Sequence, residues 1–228
     1  MIEYHPELMQ GSNEWHAARC GLLTASEMKL IITPTLKIAS NDKERAHLYE
    51  LLAQRVTQYV EPSYISDSML RGMDDEIEAI AQYGKTYSKV QQVGFVTNDK
   101  WGFTIGYSPD GLVGEDGQME CKSRNQRYQM QTLCDYVSNE AIDPDFVIQV
   151  QTGLLVTERD WCDLVSYCGG LQMATVRVLP DEAIQAAIIA AAESFEKRLT
   201  EKRAQYDAVI SSNARLINTV RKIREEMI

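Results

Sequence analysis

Between residues 90 and 123 the hydrophobic pattern changes from a helical period to a period of two, and this change limits the possible folds more than any other feature. The turn-forming pairs Asn98-Asp99 and Asp116-Gly117 separate short alternating segments. These segments read VQQVGFVT, WGFTIGYS and QMECKS. The pattern predicts short strands in an antiparallel meander.

Apolar residues at helical spacing dominate the chain on both sides of this meander. They predict helices over 42–60, 71–84 and 146–157, a helix entered near Thr24 or Ser26, and a long alanine-rich helix capped by Asp181. Two more strands are expected around Gly169-Gly170. The predicted fold class is therefore α/β, with a central mixed sheet that contains the meander, helices that flank it, and a long C-terminal helix.

A chain of 228 residues without a linker-like or low-complexity stretch favours a single domain. We expect a core over about 10–180 and C-terminal helices over about 181–228. Residues 211–213 would separate the long helix from a last, basic helix. The helix over 71–84 would bury a stripe that consists of Ile77, Ile80, Ala81 and Gly84.

The composition excludes several classes of protein. Five cysteines without a CxxC pair, together with only three histidines, favour neither a disulfide framework nor a structural zinc site. The first residues do not resemble a signal peptide, and no apolar run approaches about 18 residues, so we expect a cytoplasmic protein without a membrane span. The net charge of −10 falls entirely on residues 1–180, because residues 181–228 hold eight acidic and eight basic side chains. A total charge does not exclude a local groove for nucleic acid.

Three carboxylates and one lysine form the candidate functional cluster. Pro109-Asp110 is followed by Glu120 and Lys122, which lie two positions apart and therefore point to one face of a strand. Glu76 lies at the margin of the apolar stripe on the 71–84 helix. Mg²⁺ binds carboxylate oxygens, and a lysine beside them orients or deprotonates a water or neutralises charge on a phosphoryl oxygen. The cluster predicts metal-assisted phosphodiester hydrolysis.

A shared cation site requires that Asp110 lie on the same face of the hairpin as Glu120 and Lys122. A two-residue turn at Asp116-Gly117 would pair Glu120 with Val113 and would turn Asp110 to the wrong face. A loop with an odd number of residues, or a bulge near Pro109-Asp110, restores the shared face.

The same residues carry a resemblance to a known family. Pro109-Asp110 followed by Glu120-Cys121-Lys122 matches the PD-(D/E)xK nuclease signature. The segments QGSNEWHAARCGLLTASE, RGMDDE and QVQ, at 10–27, 71–76 and 149–151, resemble motifs of the phage lambda exonuclease, or YqaJ-like viral recombinase, family in the same order.

The resemblance implies a restriction-endonuclease-like core and Mg²⁺-dependent digestion of linear double-stranded DNA from its 5′ end, with Mn²⁺ as an alternative cation. Such enzymes release mononucleotides and leave a 3′ overhang for recombination. Similar family members form a ring of three subunits around the DNA, and the overhang passes to a single-strand annealing protein. The chain would then be a phage or prophage protein in a bacterial host.

The resemblance also implies roles for single residues. Asp110 and Glu120 correspond to metal ligands, Glu76 to the helix-borne acid near the metal, Lys122 to the catalytic lysine and Gln149 to the glutamine beside it. Arg19 and Ser26 correspond to the 5′-phosphate pocket. The local sequence supports that pocket independently, since a guanidinium and a hydroxyl at the approach to a helix N-terminus suit a terminal phosphate.

Several residues also have ordinary structural explanations. Asp110 alone is typical of a turn, and Ser26 is typical of an N-cap. Glu76 is typical of the first turn of a helix, and Glu78 is an alternative to Glu76 as the helix-borne acid. Trp15 is more often a core anchor than a base-stacking residue. Gln149 and Gln151 can simply satisfy backbone groups, and the basic tail (Arg215, Arg221, Lys222 and Arg224) is usually a solvated face. Two other functions remain open: an endonuclease or repair nuclease on the same core, and a non-catalytic DNA-binding ring.

Overall fold

The computed structural model describes residues 1–62 and 66–221, and this part of the chain folds into mixed α/β structure. In chain order the elements are β1 (Ile2–His5), α1 (Asn13–Arg19), β2 (Leu23–Thr24), α2 (Asp42–Thr57), α3 (Asp67–Thr86), β3 (Val90–Gln91), β4 (Phe95–Asn98), β5 (Ile105–Tyr107), β6 (Gly111–Val113), β7 (Gly117–Ser123), α4 (Gln126–Gln131), α5 (Pro144–Thr157), β8 (Trp161–Tyr167), β9 (Ala174–Val178) and α6 (Glu182–Ile210). Within these residues, no helix has both the length and the apolar character that a bilayer crossing requires.

The strands divide into two mixed sheets, of orders β1-β4-β5-β2 and β3-β6-β7-β8-β9. The predicted meander therefore supplies strands to both sheets. β7, which carries Glu120 and Lys122, lies in the middle of the second sheet, antiparallel to β6 and parallel to β8. Because parallel neighbours need a crossover, α4 and α5 connect β7 to β8. The predicted α/β class is confirmed.

The hairpin between β6 and β7 has the odd loop that the site requires. Its pairs run from Gly111 with Met119 to Val113 with Gly117, which leaves the three residues 114–116 as the loop. Gly114 has a φ of +58°, a left-handed conformation that glycine adopts at low cost. The same register, continued by one position, sets Asp110 opposite Glu120.

The predicted helix boundaries are largely confirmed for α2, α5 and α6. Asn41 caps α2 and Asp143 caps α5, with Pro144 in its first turn. Asp181 caps α6 as predicted, since its Oδ1 accepts from the amides of Ala183 and Ile184 at 2.9 and 3.0 Å.

The predicted stripe on α3 is wrong for Ile77, Ala81 and Gly84, which are exposed, and correct only for Ile80, which packs against a buried cluster. α3 begins at Asp67, and it buries Ala79 and Tyr83, whereas the side chain of Ile77 is 65% exposed. The aliphatic residues alone did not identify the packed face, because that face includes Tyr83, whose phenol donates to Asp163 at 2.6 Å. Glu76 lies three residues before Ala79 and is therefore on the packed side.

Two further helices were predicted wrongly. The segment near Thr24 forms the short strand β2, which pairs with β5, and then a single 3₁₀ turn over Met28–Leu30. Residues 214–221 are not helical, and the remainder of the predicted basic helix, including Lys222 and Arg224, lies outside the described residues. Thr24 does not continue into a helix because its backbone pairs with β5.

α5 lies at the junction of the two sheets, where it contacts β4 and β5 of one sheet and β8 of the other. Gly153 makes this approach possible, because a Cβ there would lie 2.8 Å from Cζ of Tyr107. α5 thereby positions Gln149, one turn earlier, over the middle of β7.

Candidate active site

The centre of the site is an ion pair between neighbours on one face of β7. The Lys122 ammonium donates to Oε1 of Glu120 at 2.8 Å and to Oε1 of Gln149 at 2.9 Å. The Gln149 amide in turn donates to Oε1 of Glu120 at 2.5 Å. Because Glu120 is 3% exposed, these donors take the place of the water that would otherwise solvate its carboxylate. The structure thus brings three of the predicted residues into direct contact.

Lys122 remains a cation in this setting. Burial lowers its pKa, but the carboxylates of Glu120 and Asp110 outweigh that effect and leave the pKa above its ordinary value.

Asp110 joins the cluster through the backbone of β7. Its Oδ2 accepts from the amide of Cys121 at 2.6 Å. Burial raises the pKa of Asp110 well above its ordinary value, and the negative charges of Glu120 and Glu76 raise it further. Several carboxylates therefore share one poorly solvated region.

Glu76 approaches the same region from α3. Burial raises the pKa of Glu76, as does the charge of Glu120, while Lys122 lowers it. Because α3 begins at Asp67, Glu76 lies in the interior of the helix, so the helix dipole does not explain its position. The alternative acid, Glu78, is exposed and lies near Tyr167. Burial raises the pKa of Tyr167, and the charge of Glu78 raises it further.

The donor set fits a hard divalent cation. Glu76, Asp110 and Glu120 offer only carboxylate oxygens, which Mg²⁺ and Mn²⁺ prefer, and their mutual repulsion would be relieved by a positive charge. Among the residues that the structure describes, no group of three acidic, histidine or cysteine side chains is arranged so that it could hold a metal ion as it stands. Glu120 is held by Lys122 and Gln149 instead.

Arg19 lies at the end of α1 and contacts Ser108, which stands two residues before Asp110. Its guanidinium donates to Oγ of Ser108 at 3.1 Å and to Oγ1 of Thr24 at 3.3 Å, and it stacks 4.3 Å from the ring centre of Trp15. Burial lowers the pKa of Arg19, whereas the charge of Glu27 raises it. Since Ser108 precedes Pro109-Asp110, the arginine and the carboxylates are linked by one short segment.

Within the described part of the chain, Ser26 lies near Arg19 only through Thr24 and makes no hydrogen bond to the guanidinium. Its hydroxyl is exposed and lies 3.3 Å from Oγ1 of Thr24. It does not cap a helix, because Glu27 stands at the cap position of the following 3₁₀ turn. Trp15 is an anchor, and its indole N–H is 3.0 Å from both the carbonyl of Gly94 and the hydroxyl of Ser108.

The sequence did not reveal three residues of this site: Thr24 and Ser108, which contact Arg19, and Tyr107. The phenol of Tyr107 donates to Oε2 of Glu120 at 2.7 Å. Burial raises the pKa of Tyr107 well above its ordinary value, and the charge of Glu120 adds to this effect, so the phenol remains a donor. The only available signal was the position of Tyr107 and Ser108 directly before Pro109-Asp110.

The fold and this cluster define the chain as a member of a nuclease-related recombinase class. The YqaJ-like viral recombinase domain matches residues 14–160, a range that contains all the predicted site residues. The chain belongs to this family.

Solved structures place the chain among exonuclease folds. An alkaline exonuclease from Laribacter hongkongensis is 30% identical, with a TM-score of 0.76 over 88% of this chain and 98% of that one. A structure of that exonuclease in complex with dAMP matches at 29% identity and a TM-score of 0.72, over 87% and 100% of the two chains. A phage-related exonuclease from Haemophilus somnus 129PT shares the fold, at 13% identity and a TM-score of 0.53 over 79% and 96%. No curated protein sequence matches the chain.

Proposed function

We propose that this protein is a divalent-cation-dependent exonuclease that digests linear double-stranded DNA from the 5′ end. It releases 5′-mononucleotides and leaves 3′ overhangs. The observation that carries the proposal is the short segment Ser108-Pro109-Asp110, which joins a candidate phosphate pocket at Arg19 to the carboxylates around Glu120. The likeness to an alkaline exonuclease whose structure holds dAMP supports it.

Arg19 and its neighbours would bind the terminal phosphate. A guanidinium offers paired N–H donors in a plane that matches phosphate oxygens. Stacking on Trp15 and the bonds to Ser108 and Thr24 hold this plane in one orientation. The exposed hydroxyl of Ser26 adds a donor at the edge of the pocket. This pocket gives a physical reason for a preference for 5′-phosphorylated ends.

Glu76, Asp110 and Glu120 would hold the cation, with Mg²⁺ as the first choice and Mn²⁺ as the alternative. When bound, a divalent cation polarises the scissile phosphate and makes a water more acidic. Oε1 of Glu120 already accepts two hydrogen bonds and Oε2 accepts one. Since a carboxylate has about four acceptor positions, Oε2 keeps one for the cation.

Lys122 would act on the scissile phosphate, and Gln149 would hold Lys122 in place. The ammonium neutralises negative charge that develops on the phosphoryl oxygens. Gln149 accepts from Lys122 and donates to Glu120, so it holds the lysine on the face where the carboxylates lie. Both residues therefore position charge rather than bind DNA along its length.

We extend the proposal to the assembly and the pathway. The family likeness supports a homotrimeric ring around the duplex and a single-strand annealing protein that receives the overhang. It also supports a phage or prophage origin and action in the bacterial cytoplasm.

The deciding experiment compares three DNA substrates in the presence of Mg²⁺. A linear duplex with 5′-phosphates should release mononucleotides, the same duplex with 5′-hydroxyls should be digested more slowly, and a closed circular duplex should survive. Nicking of the circle would favour an endonuclease or repair nuclease. DNA binding without release of any nucleotide would favour a non-catalytic ring.

A further inference from the structure

Tyr107 forms a bond that crosses from one sheet to the other. It is the last residue of β5, in the four-stranded sheet, and it is only 1% exposed. Its hydroxyl donates at 2.7 Å to Oε2 of Glu120, on β7 of the five-stranded sheet. The oxygen that it contacts is the one with an acceptor position left for a cation.

The surroundings hold the phenol ring in place. A Cβ at Gly153 would lie 2.8 Å from Cζ of Tyr107 and 3.0 Å from Nε2 of Gln118, so α5 packs tightly against both side chains. Gln118 is fully buried, and its Oε1 accepts from the hydroxyl of Thr157 at 2.8 Å. Because interiors are close-packed, a ring confined in this way has no second position for its hydroxyl.

We infer that Tyr107 is a positioning residue of the cation site, which fixes the rotation of the Glu120 carboxylate so that Oε2 is presented to the metal; this inference rests on the proposed function. Lys122 and Gln149 bind only Oε1, and Tyr107 supplies the contact at the other oxygen. Residues that orient a ligand carboxylate typically change metal affinity by about 10–100-fold.

The test is calorimetric titration of the full chain with Mn²⁺, without DNA. Tyr107→Phe should weaken the Mn²⁺ dissociation constant by about 10–100-fold. Nuclease activity should return towards the wild-type kcat at higher Mn²⁺, with a raised metal requirement. An unchanged dissociation constant in a folded variant would overturn the inference.

Tyr83→Phe provides the matched control. Tyr83 is equally buried, and its hydroxyl donates to the buried carboxylate of Asp163 at 2.6 Å, which lies outside the proposed cation site. This variant should lose comparable stability while its Mn²⁺ affinity stays unchanged. An equal loss of affinity in both variants would indicate a general structural effect and would contradict the positioning role.

A second variant covers the case in which Tyr107→Phe does not fold. Gly153→Ala places a methyl group against the ring of Tyr107 but keeps the hydroxyl. It should weaken Mn²⁺ binding, as Tyr107→Phe does, and unchanged binding would count against the inference.

The wild-type titration separates this inference from the proposed function. If the wild-type chain does not bind Mn²⁺, the proposed function fails, whereas equal binding by wild type and Tyr107→Phe removes only the role of Tyr107.

Discussion

Replacement of Lys122 by methionine tests the central ion pair directly. The Lys122 side chain is 18% exposed and that of Glu120 is 4% exposed, and their closest atoms are 2.8 Å apart. Methionine keeps much of the volume but removes the charge, which leaves the Glu120 carboxylate buried without its cation. Removal of one partner of a buried pair costs about 3–5 kcal/mol. For a chain of this size that corresponds to a fall in Tm of about 6–20 °C.

Denaturant unfolding in the presence of a chelator measures this loss, and Lys100→Met provides the control. Lys100 lies 2.6 Å from Glu158, but the two side chains are 61% and 44% exposed. Such a surface pair contributes at most about 1 kcal/mol. Equal small losses in the two variants would refute the claim that Lys122 stabilises a buried charge.

Two additions to this experiment separate the charge from packing. When the chelator is replaced by Ca²⁺, part of the stability of Lys122→Met should return, because a bound dication replaces the missing positive charge beside Glu120. Glu120→Gln in the Lys122→Met background should also restore stability, since it removes the uncompensated carboxylate. A double variant that loses the sum of both single effects would contradict this coupling.

Lys122→Met should have no measurable turnover while DNA binding is largely retained, and a parallel loss of binding would contradict that division of roles.

Three further predictions concern other parts of the site. Arg19→Ala should lower the ratio of digestion rates for 5′-phosphorylated and 5′-hydroxyl ends, and an unchanged ratio would remove Arg19 from the pocket. Gly21→Ala should lower the same ratio and the Tm, because Gly21 has a φ of +72° and a Cβ there would lie 2.6 Å from Cγ of Arg55. Asp110→Asn should abolish activity yet stabilise the metal-free protein. The folded state raises the pKa of Asp110, so the contribution of Asp110 to the stability of the wild type falls as the pH rises above about 4. The advantage of Asp110→Asn should therefore grow over that range in urea titrations, and a constant difference would contradict the sign of the shift.

The sequence predicted the parts of the site that depend on local geometry. The shared face of Glu120 and Lys122 follows from strand alternation, and the requirement for a common face predicted either an odd loop or a bulge near Pro109-Asp110, of which the structure has the odd loop. Capping by Asp181 likewise depends on side-chain chemistry within one turn. These features need no information about distant residues.

The sequence did not predict features that depend on contacts between elements. Ile77 was assigned to the buried stripe of α3, but it is exposed, and the packed face of the helix carries Tyr83, whose phenol bonds to the distant residue Asp163. The segment at Thr24 has a helical pattern, yet pairing with β5 makes it a strand. Tyr107 contacts Glu120 across the two sheets, a pairing that depends on how β5, β7 and α5 pack together and that strand alternation alone does not indicate.

The short segment Ser108-Pro109-Asp110 keeps the candidate phosphate pocket close to the proposed cation site. Two residues of extended chain span at most about 7 Å, which is on the order of one or two nucleotide steps of about 3.4 Å rise each. If the strand end is bound at Arg19 and the bond to be cut lies at the carboxylates, this short connection limits the distance between the two. An inserted residue between Ser108 and Asp110 would then be expected to alter the length of the products of the proposed enzyme.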